Sequence, residues 1–124
     1  MDIRIKTTDH ELTATTKAYL EGRLATLEKM LGKDAHGARI EVELGRDAGR
    51  PRHGDNIWFA EMQIIVPGQK RIVARNNSES VNGAIDDVKE EAERQLRRER
   101  KIHVRLYRKS GALAKRLLRF GRET

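Results

Sequence analysis

The chain has no cysteine, and its apolar residues never form a long uninterrupted run. Without cysteine it can form no disulfide, no thiolate zinc site and no cysteine nucleophile. Because about 18 consecutive apolar residues are needed to span a membrane as a helix, no such segment is predicted. Residues 1–5 alternate between polar and apolar types, unlike the apolar core of a signal peptide. The 124 residues are therefore expected to form one soluble, cytoplasmic domain.

Acidic side chains are scarce towards the C-terminus. Residues 94–122 contain 12 of the 26 lysines and arginines but only one of the 19 acidic residues, Glu99. The net charge of this stretch is +11, whereas that of the rest of the chain is −4. A mildly acidic body with a strongly basic segment predicts a polyanionic partner, either a nucleic acid or an anionic membrane surface.

The spacing of apolar residues predicts six regular elements. Alternation of apolar and polar residues in four stretches indicates strands with one buried face. Apolar residues at every third or fourth position in two other stretches indicate helices packed on one side. The predicted order is strand 2–6, helix 12–31, strands 39–44, 57–66 and 70–75, and a second helix that has Ser78 as its N-cap, runs towards Tyr107 and is followed by a break at Ser110-Gly111.

This order of elements predicts the fold class. A strand–helix–strand opening requires a crossover, which makes its two strands parallel. The later strands can form an antiparallel meander, and both amphipathic helices need the same apolar sheet face. The sequence therefore predicts a two-layer α+β domain over residues 1–108, with a four-stranded sheet and two helices on one face. A basic, flexible tail is expected over residues 109–124.

Four places in the chain carry a family resemblance through their order and spacing. They are residues 2–5 followed by 11–13, residues 19–29, residues 59–61 leading to 66–68, and Ala84-Ile85-Asp86 followed by residues 93–97. Together they resemble the ribosome hibernation promoting factors, also called ribosome-associated translation inhibitors or ribosomal subunit interface proteins. The resemblance covers roughly residues 1–101 and implies a β-α-β-β-β-α domain similar to a double-stranded RNA-binding domain.

The resemblance also implies a function. Members of this family bind the small ribosomal subunit along the messenger RNA and transfer RNA path, contact ribosomal RNA and inhibit translation by occupancy. No cofactor, metal, catalytic residue or small-molecule substrate is implied. The chain has Val81-Asn82-Gly83 where the family usually has an aromatic residue, so no stacking contact is carried over. We also expect no C-terminal domain of the kind with which longer members pair ribosomes, and hence a short-form monomer off the ribosome.

The basic half of the second helix supplies the main candidates for RNA contact. Its cations recur at spacings of three or four residues, which gathers them on neighbouring faces. Compensation of the helix dipole would need only one or two of them. On the first helix, two cations match family positions associated with RNA contact, although nearby glutamates could pair with them instead. The full set of RNA-binding candidates is Arg23, Lys29, Arg94, Arg97, Arg98, Lys101, Arg105, Arg108 and Lys109.

Secondary candidates lie on the outer sheet face and in the loop before the third strand. Glutamates share the sheet face with its cations, and a solvated loop would explain the loop cations equally well. The strand phase places Trp58 in the core and points Phe59 outwards, where an aromatic ring could stack on a base. The secondary candidates are Arg4, Lys6, Arg50, Arg52, Phe59, Arg71 and Arg75.

Three other functions fit part of the sequence. A generic binder of double-stranded or structured RNA would use the same basic surface without preferring ribosomes. A short interfacial helix containing Leu113, Leu117 and Phe120 would bind a membrane surface, but nine residues offer little apolar area. An enzyme is the least favoured interpretation, because the four histidines are scattered without metal-ligand spacing or a nucleophile beside them.

Overall fold

The computed structural model describes residues 1–47 and 55–123, and it describes side chains as far as residue 111 except at residues 103 and 107. Its strands are β1 (Asp2–Thr8), β2 (Arg39–Arg46), β3 (Trp58–Ile65) and β4 (Ile72–Ser78). They form one sheet in the order β1-β2-β3-β4. β1 and β2 are parallel, whereas β2–β3 and β3–β4 are antiparallel, as the sequence predicts.

The first helix, α1 (Ala14–Leu31), connects β1 to β2. The Thr13 hydroxyl caps it by accepting a hydrogen bond from the Thr16 amide at 3.1 Å, so the helix begins two residues later than predicted. Gly32 ends it with a φ of 57°, a conformation that glycine adopts without steric cost. A 3-10 helix, Gly32–Gly37, then leads into β2.

The second helix, α2 (Val81–Glu123), follows β4. The Ser80 hydroxyl caps its first turn by accepting a hydrogen bond from the Gly83 amide at 3.0 Å. The predicted cap at Ser78 is wrong, because this residue ends β4. A capped start fixes the register of the helix and hence the side chains that it turns towards the sheet.

The chain forms two compact units, Met1–Arg94 and Gln95–Thr124. The first contains the sheet, α1 and the beginning of α2, and the second continues α2. The helix runs through Ser110-Gly111, so the predicted break there is wrong. A glycine inside a helix costs only about 1 kcal/mol relative to alanine, which its helix-forming neighbours can offset. The predicted boundary between residues 108 and 109 stays a prediction.

The core of the first unit lies between the two helices and one face of the sheet. It is built almost entirely from branched aliphatic side chains and alanine, with one methionine, at the positions that the apolar spacing predicts. This arrangement confirms the predicted two-layer α+β fold. In the described part of the chain, no helix is both long and apolar enough to cross a membrane. The buried residues include Leu20, Leu24, Leu27 and Leu31 of α1, Ala84, Ile85, Val88 and Ala92 of α2, and Ile40, Val42, Leu44, Ala60, Met62, Ile64, Ile72 and Ala74 of the sheet.

Candidate nucleic-acid interface

The distal part of α2 carries a dense set of exposed cations. Residues 97–109 include seven basic residues and one acidic residue, Glu99. The helical repeat places four of the cations, at positions 97, 101, 105 and 108, along one face. Several of them surround Val104 in a shallow depression. All seven basic side chains are exposed: Arg97, Arg98, Arg100, Lys101, Arg105, Arg108 and Lys109.

This surface suits a phosphate backbone better than a particular base sequence. Arginine forks can bind phosphate oxygens in pairs, and lysine adds a compact point charge. Such contacts position a protein on RNA but do not read its sequence directly. The distal part of α2 is therefore the strongest candidate for a nucleic-acid interface among the described residues.

Arg94, a predicted RNA contact, has a protein partner one helical turn away. Its Nε donates to Oε2 of Glu91 at 3.0 Å, and its Nη2 donates to the same oxygen. The hydrogen bonds to Glu91 raise the pKa of the Arg94 guanidinium. Because both side chains are exposed, this pair is open to competition from a phosphate.

Arg23 of α1 is held by residues from both helices. Its Nε donates to Oδ1 of Asp86 at 2.9 Å, and its Nη2 donates to the hydroxyl of Tyr19 at 2.9 Å. The guanidinium carbon lies 4.5 Å from the centre of the Tyr19 ring. The Tyr19 hydroxyl in turn lies 2.8 and 2.7 Å from the two carboxylate oxygens of Asp86. We call this group the Tyr19–Arg23–Asp86 triad.

The triad perturbs the ionisation of its charged members. The hydrogen bond to Asp86 is the main cause that raises the pKa of the Arg23 guanidinium. Partial burial acts to raise the pKa of the Asp86 carboxyl, but hydrogen bonds from Arg23 and Tyr19 outweigh it, so the pKa is lowered. Both groups are therefore held in their charged forms.

The sequence does not predict this triad. It suggests a glutamate of α1 as the partner of Arg23, whereas the partner is Asp86 of α2. The spacing of four residues between Tyr19 and Arg23 is a local signal that the two can meet on one helix face. The contribution of Asp86 depends on the packing of α1 against α2, which no local pattern specifies. Lys29, exposed in the last turn of α1, is not part of the triad.

The outer sheet face carries charges of both signs. One row crosses all four strands in register: Lys6 faces Glu43, Glu43 faces Glu61 and Glu61 faces Arg75. Arg75 pairs with Glu61 at 3.3 Å. Because two glutamates lie between the two cations, the row has no net charge and produces no net positive field.

Two other secondary candidates on this face also have protein partners. Arg4 pairs with Asp2 at 3.3 Å, and Arg71 donates to Gln63 at 3.3 Å. These pairs are exposed and therefore weak, but they give each arginine an alternative to RNA. Arg50 and Arg52, the loop candidates, lie outside the described residues.

Phe59 is not available as a stacking platform, which corrects the sequence-based expectation. Its register partner is Gly45, and the missing side chain leaves room for the ring, which is only 3% exposed. The guanidinium carbon of Arg75 lies 4.2 Å from the ring centre. Trp58, expected in the core, is instead half-buried beside His10 and Arg46. Alternation predicts the strand face correctly, but it does not reveal how neighbours cover that face.

Comparison with known proteins gives matches over most of the chain. The family model described as "Sigma 54 modulation protein / S30EA ribosomal protein" matches residues 3–103. The solved N-terminal domain of Protein Y from Thermus thermophilus is 25% identical with a TM-score of 0.61, over 79% of this chain and 98% of that one. A ribosomal subunit interface protein from Coxiella burnetii, 14% identical, shares the fold with a TM-score of 0.64, over 82% and 99% of the respective chains. No curated protein matched.

Proposed function

Since it matches the family model over residues 3–103, the chain belongs to the sigma 54 modulation and S30EA ribosomal protein family, and we propose that it is a ribosome hibernation factor. In this proposal it binds the small ribosomal subunit in the cytoplasm, along the path of messenger and transfer RNA, and contacts ribosomal RNA. It inhibits translation by occupying that path, without a cofactor or a chemical step. The observation that carries the proposal is the exposed cationic segment 97–109 on a domain of this family.

Counterion release would supply much of the affinity. Each cation that neutralises a phosphate displaces condensed counterions, so the association constant falls steeply with salt. About six phosphate contacts would weaken binding roughly a thousandfold between about 50 and 200 mM salt. The exposed cations of segment 97–109 are numerous enough for this number of contacts.

The first experiment reverses charge on the proposed interface. We expect replacement of Arg97, Arg98 and Lys101 by glutamate to abolish co-sedimentation with purified small subunits and to remove inhibition in a reconstituted translation reaction. A control variant reverses three exposed lysines of the first unit and changes the net charge equally. Its substitutions are Lys17→Glu, Lys33→Glu and Lys70→Glu.

The control separates a defined contact surface from a general charge effect. The control variant should bind nearly as well as the original chain, because none of its lysines belongs to the proposed interface. Equal loss in both variants would mean that only net charge matters. Unchanged binding of the α2 variant would remove segment 97–109 from the interface.

A second candidate is a general binder of structured RNA. It is supported by the same observation, since exposed arginines and lysines can contact the backbone of any RNA helix. Competition between small subunits and a plain RNA duplex, at near-cellular salt, distinguishes the two. Displacement by the duplex at similar concentration would favour the general binder, and resistance to it would favour the ribosome.

A further inference from the structure

We propose that Tyr19 and Asp86 are positioning residues that present the Arg23 guanidinium to a phosphate of ribosomal RNA. The inference rests on the proposed ribosome binding, and it assigns a role to two residues that carry no positive charge. The observation behind it is the Tyr19–Arg23–Asp86 triad, in which two helices hold one arginine side chain at both its Nε and its Nη2 atoms.

The triad occupies only part of the hydrogen-bonding capacity of Arg23. A guanidinium has five N–H groups. The Nε–H is donated to Asp86 and one Nη2–H to Tyr19, so among the described residues three N–H groups are left for another acceptor. The Arg23 side chain is 41% exposed, which leaves room for such an acceptor at the surface. A phosphate can accept two parallel hydrogen bonds from a guanidinium.

The aromatic ring and the carboxylate restrict how Arg23 can move. The guanidinium lies over the Tyr19 ring at 4.5 Å and is anchored by Asp86 at 2.9 Å. A flexible arginine must lose this freedom when it binds, whereas a side chain already fixed in place loses less. Loss of either holding residue should therefore weaken RNA binding roughly threefold to tenfold through Arg23.

A simple electrostatic interpretation predicts the opposite sign for Asp86. Its carboxylate carries negative charge near a proposed phosphate contact, so removing that charge should strengthen binding through long-range attraction. In the positioning interpretation, the same change weakens binding because Arg23 is released. Asp86→Asn therefore separates the two interpretations by direction and not only by size.

The experiment measures the affinity for small subunits at several salt concentrations. The single variants are Tyr19→Phe, Asp86→Asn and Arg23→Gln, and two double variants combine Arg23→Gln with each of the other two substitutions. Glu90→Gln is the matched control, because it removes one negative charge from an exposed position of the same helix. We expect Tyr19→Phe and Asp86→Asn each to weaken binding threefold to tenfold, and Glu90→Gln to leave it unchanged or slightly tighter. Arg23→Gln should also lower the salt slope, but by less than one, because the carboxylate of Asp86 already neutralises part of its charge.

The double variants exclude a role limited to folding. If the holding residues act through Arg23, neither substitution should weaken binding further in the Arg23→Gln background. Equal weakening in both backgrounds, or tighter binding of Asp86→Asn, would overturn the proposal. Tyr19→Phe removes only one oxygen, so it decides the question even if Asp86→Asn unfolds. Failure of the unsubstituted chain to bind small subunits would instead overturn the proposed function, and this inference with it.

Discussion

Gly45 of β2 lies close to Thr8 of β1 and to the ring of Phe59. We therefore expect the stability of the protein to depend on the absence of a side chain at this position. A methyl group at Gly45 would lie 2.7 and 2.8 Å from ring atoms Cε1 and Cζ of Phe59, and closer still to the main-chain carbonyl oxygen of Thr8. Ordinary contacts between such atoms are about 3.5–4.0 Å. Gly45 does not have a positive φ, so the cost of Gly45→Ala is steric and not conformational.

The size of the effect follows from what has to move. The Phe59 ring is buried and covered by Arg75, and Thr8 is the register partner of Gly45 in the β1–β2 pair. Relief of the overlap requires both a shift of the ring and a separation of the two strands. Overpacking of a tight site costs about 1–3 kcal/mol of stability. The cost at Gly45 should lie at the upper end of this range, because the main-chain oxygen of Thr8 cannot move aside as easily as a side chain. We expect Gly45→Ala to lose about 3 kcal/mol, which corresponds to roughly 10–20 °C in Tm.

Gly22→Ala is the matched control, because Gly22 lies on the exposed side of α1 with no neighbour near the added methyl group. This substitution should stabilise the protein by up to about 1 kcal/mol through the helix propensity of alanine. Urea unfolding followed by far-ultraviolet circular dichroism would measure both changes against the unsubstituted chain. If the two variants fell within about 0.5 kcal/mol of each other, the packing argument for Gly45 would be refuted.

Three further predictions concern the helices. Asp86→Asn should lower the free energy of unfolding, measured with urea at pH 7, by about 1 kcal/mol or less, since the site is more than a third exposed. Because folding lowers the pKa of Asp86, this difference should persist above the unfolded value of about 4 and shrink as pH falls below it; a constant difference down to pH 3 would contradict the assignment. Ser80→Ala should cost about 1 kcal/mol in the same assay, whereas no change would argue against the cap. Gly111→Ala should increase helicity in NMR chemical shifts of residues 105–115, and unchanged shifts would speak against a continuous helix.

The fold is predictable from the sequence because its core follows simple periodicities. Leu20, Leu24, Leu27 and Leu31 repeat at the spacing of a helix, and all four are buried. The strands likewise bury the apolar phase that alternation selects. Errors occur where two local signals compete: Ser78 and Ser80 are both good caps, and only the length of β4 decides between them. Ser110-Gly111 has the composition of a break, yet the helix continues through it.

The candidate site is only partly predictable, and the reason is spatial. Clustering of cations in one helical segment is visible in the sequence, so the exposed surface on distal α2 could be anticipated. Whether a cation has an acidic partner depends on tertiary neighbours. Asp86 lies 63 positions after Arg23 in the chain, and Arg75 meets Glu61 on the adjacent strand. The burial of Phe59 likewise depends on a glycine in the adjacent strand.

Charge balance within each unit suggests how affinity and orientation are divided. Residues 1–94 carry 15 basic and 17 acidic residues, whereas residues 95–124 carry 11 basic and only two acidic ones. A cation already paired with a carboxylate contributes little to counterion release, because the carboxylate repels the incoming phosphate. In the proposed complex, the second unit therefore supplies most of the salt-dependent affinity. A fixed arginine such as Arg23 contributes orientation instead, since a single bidentate contact restricts the angle at which a domain meets RNA.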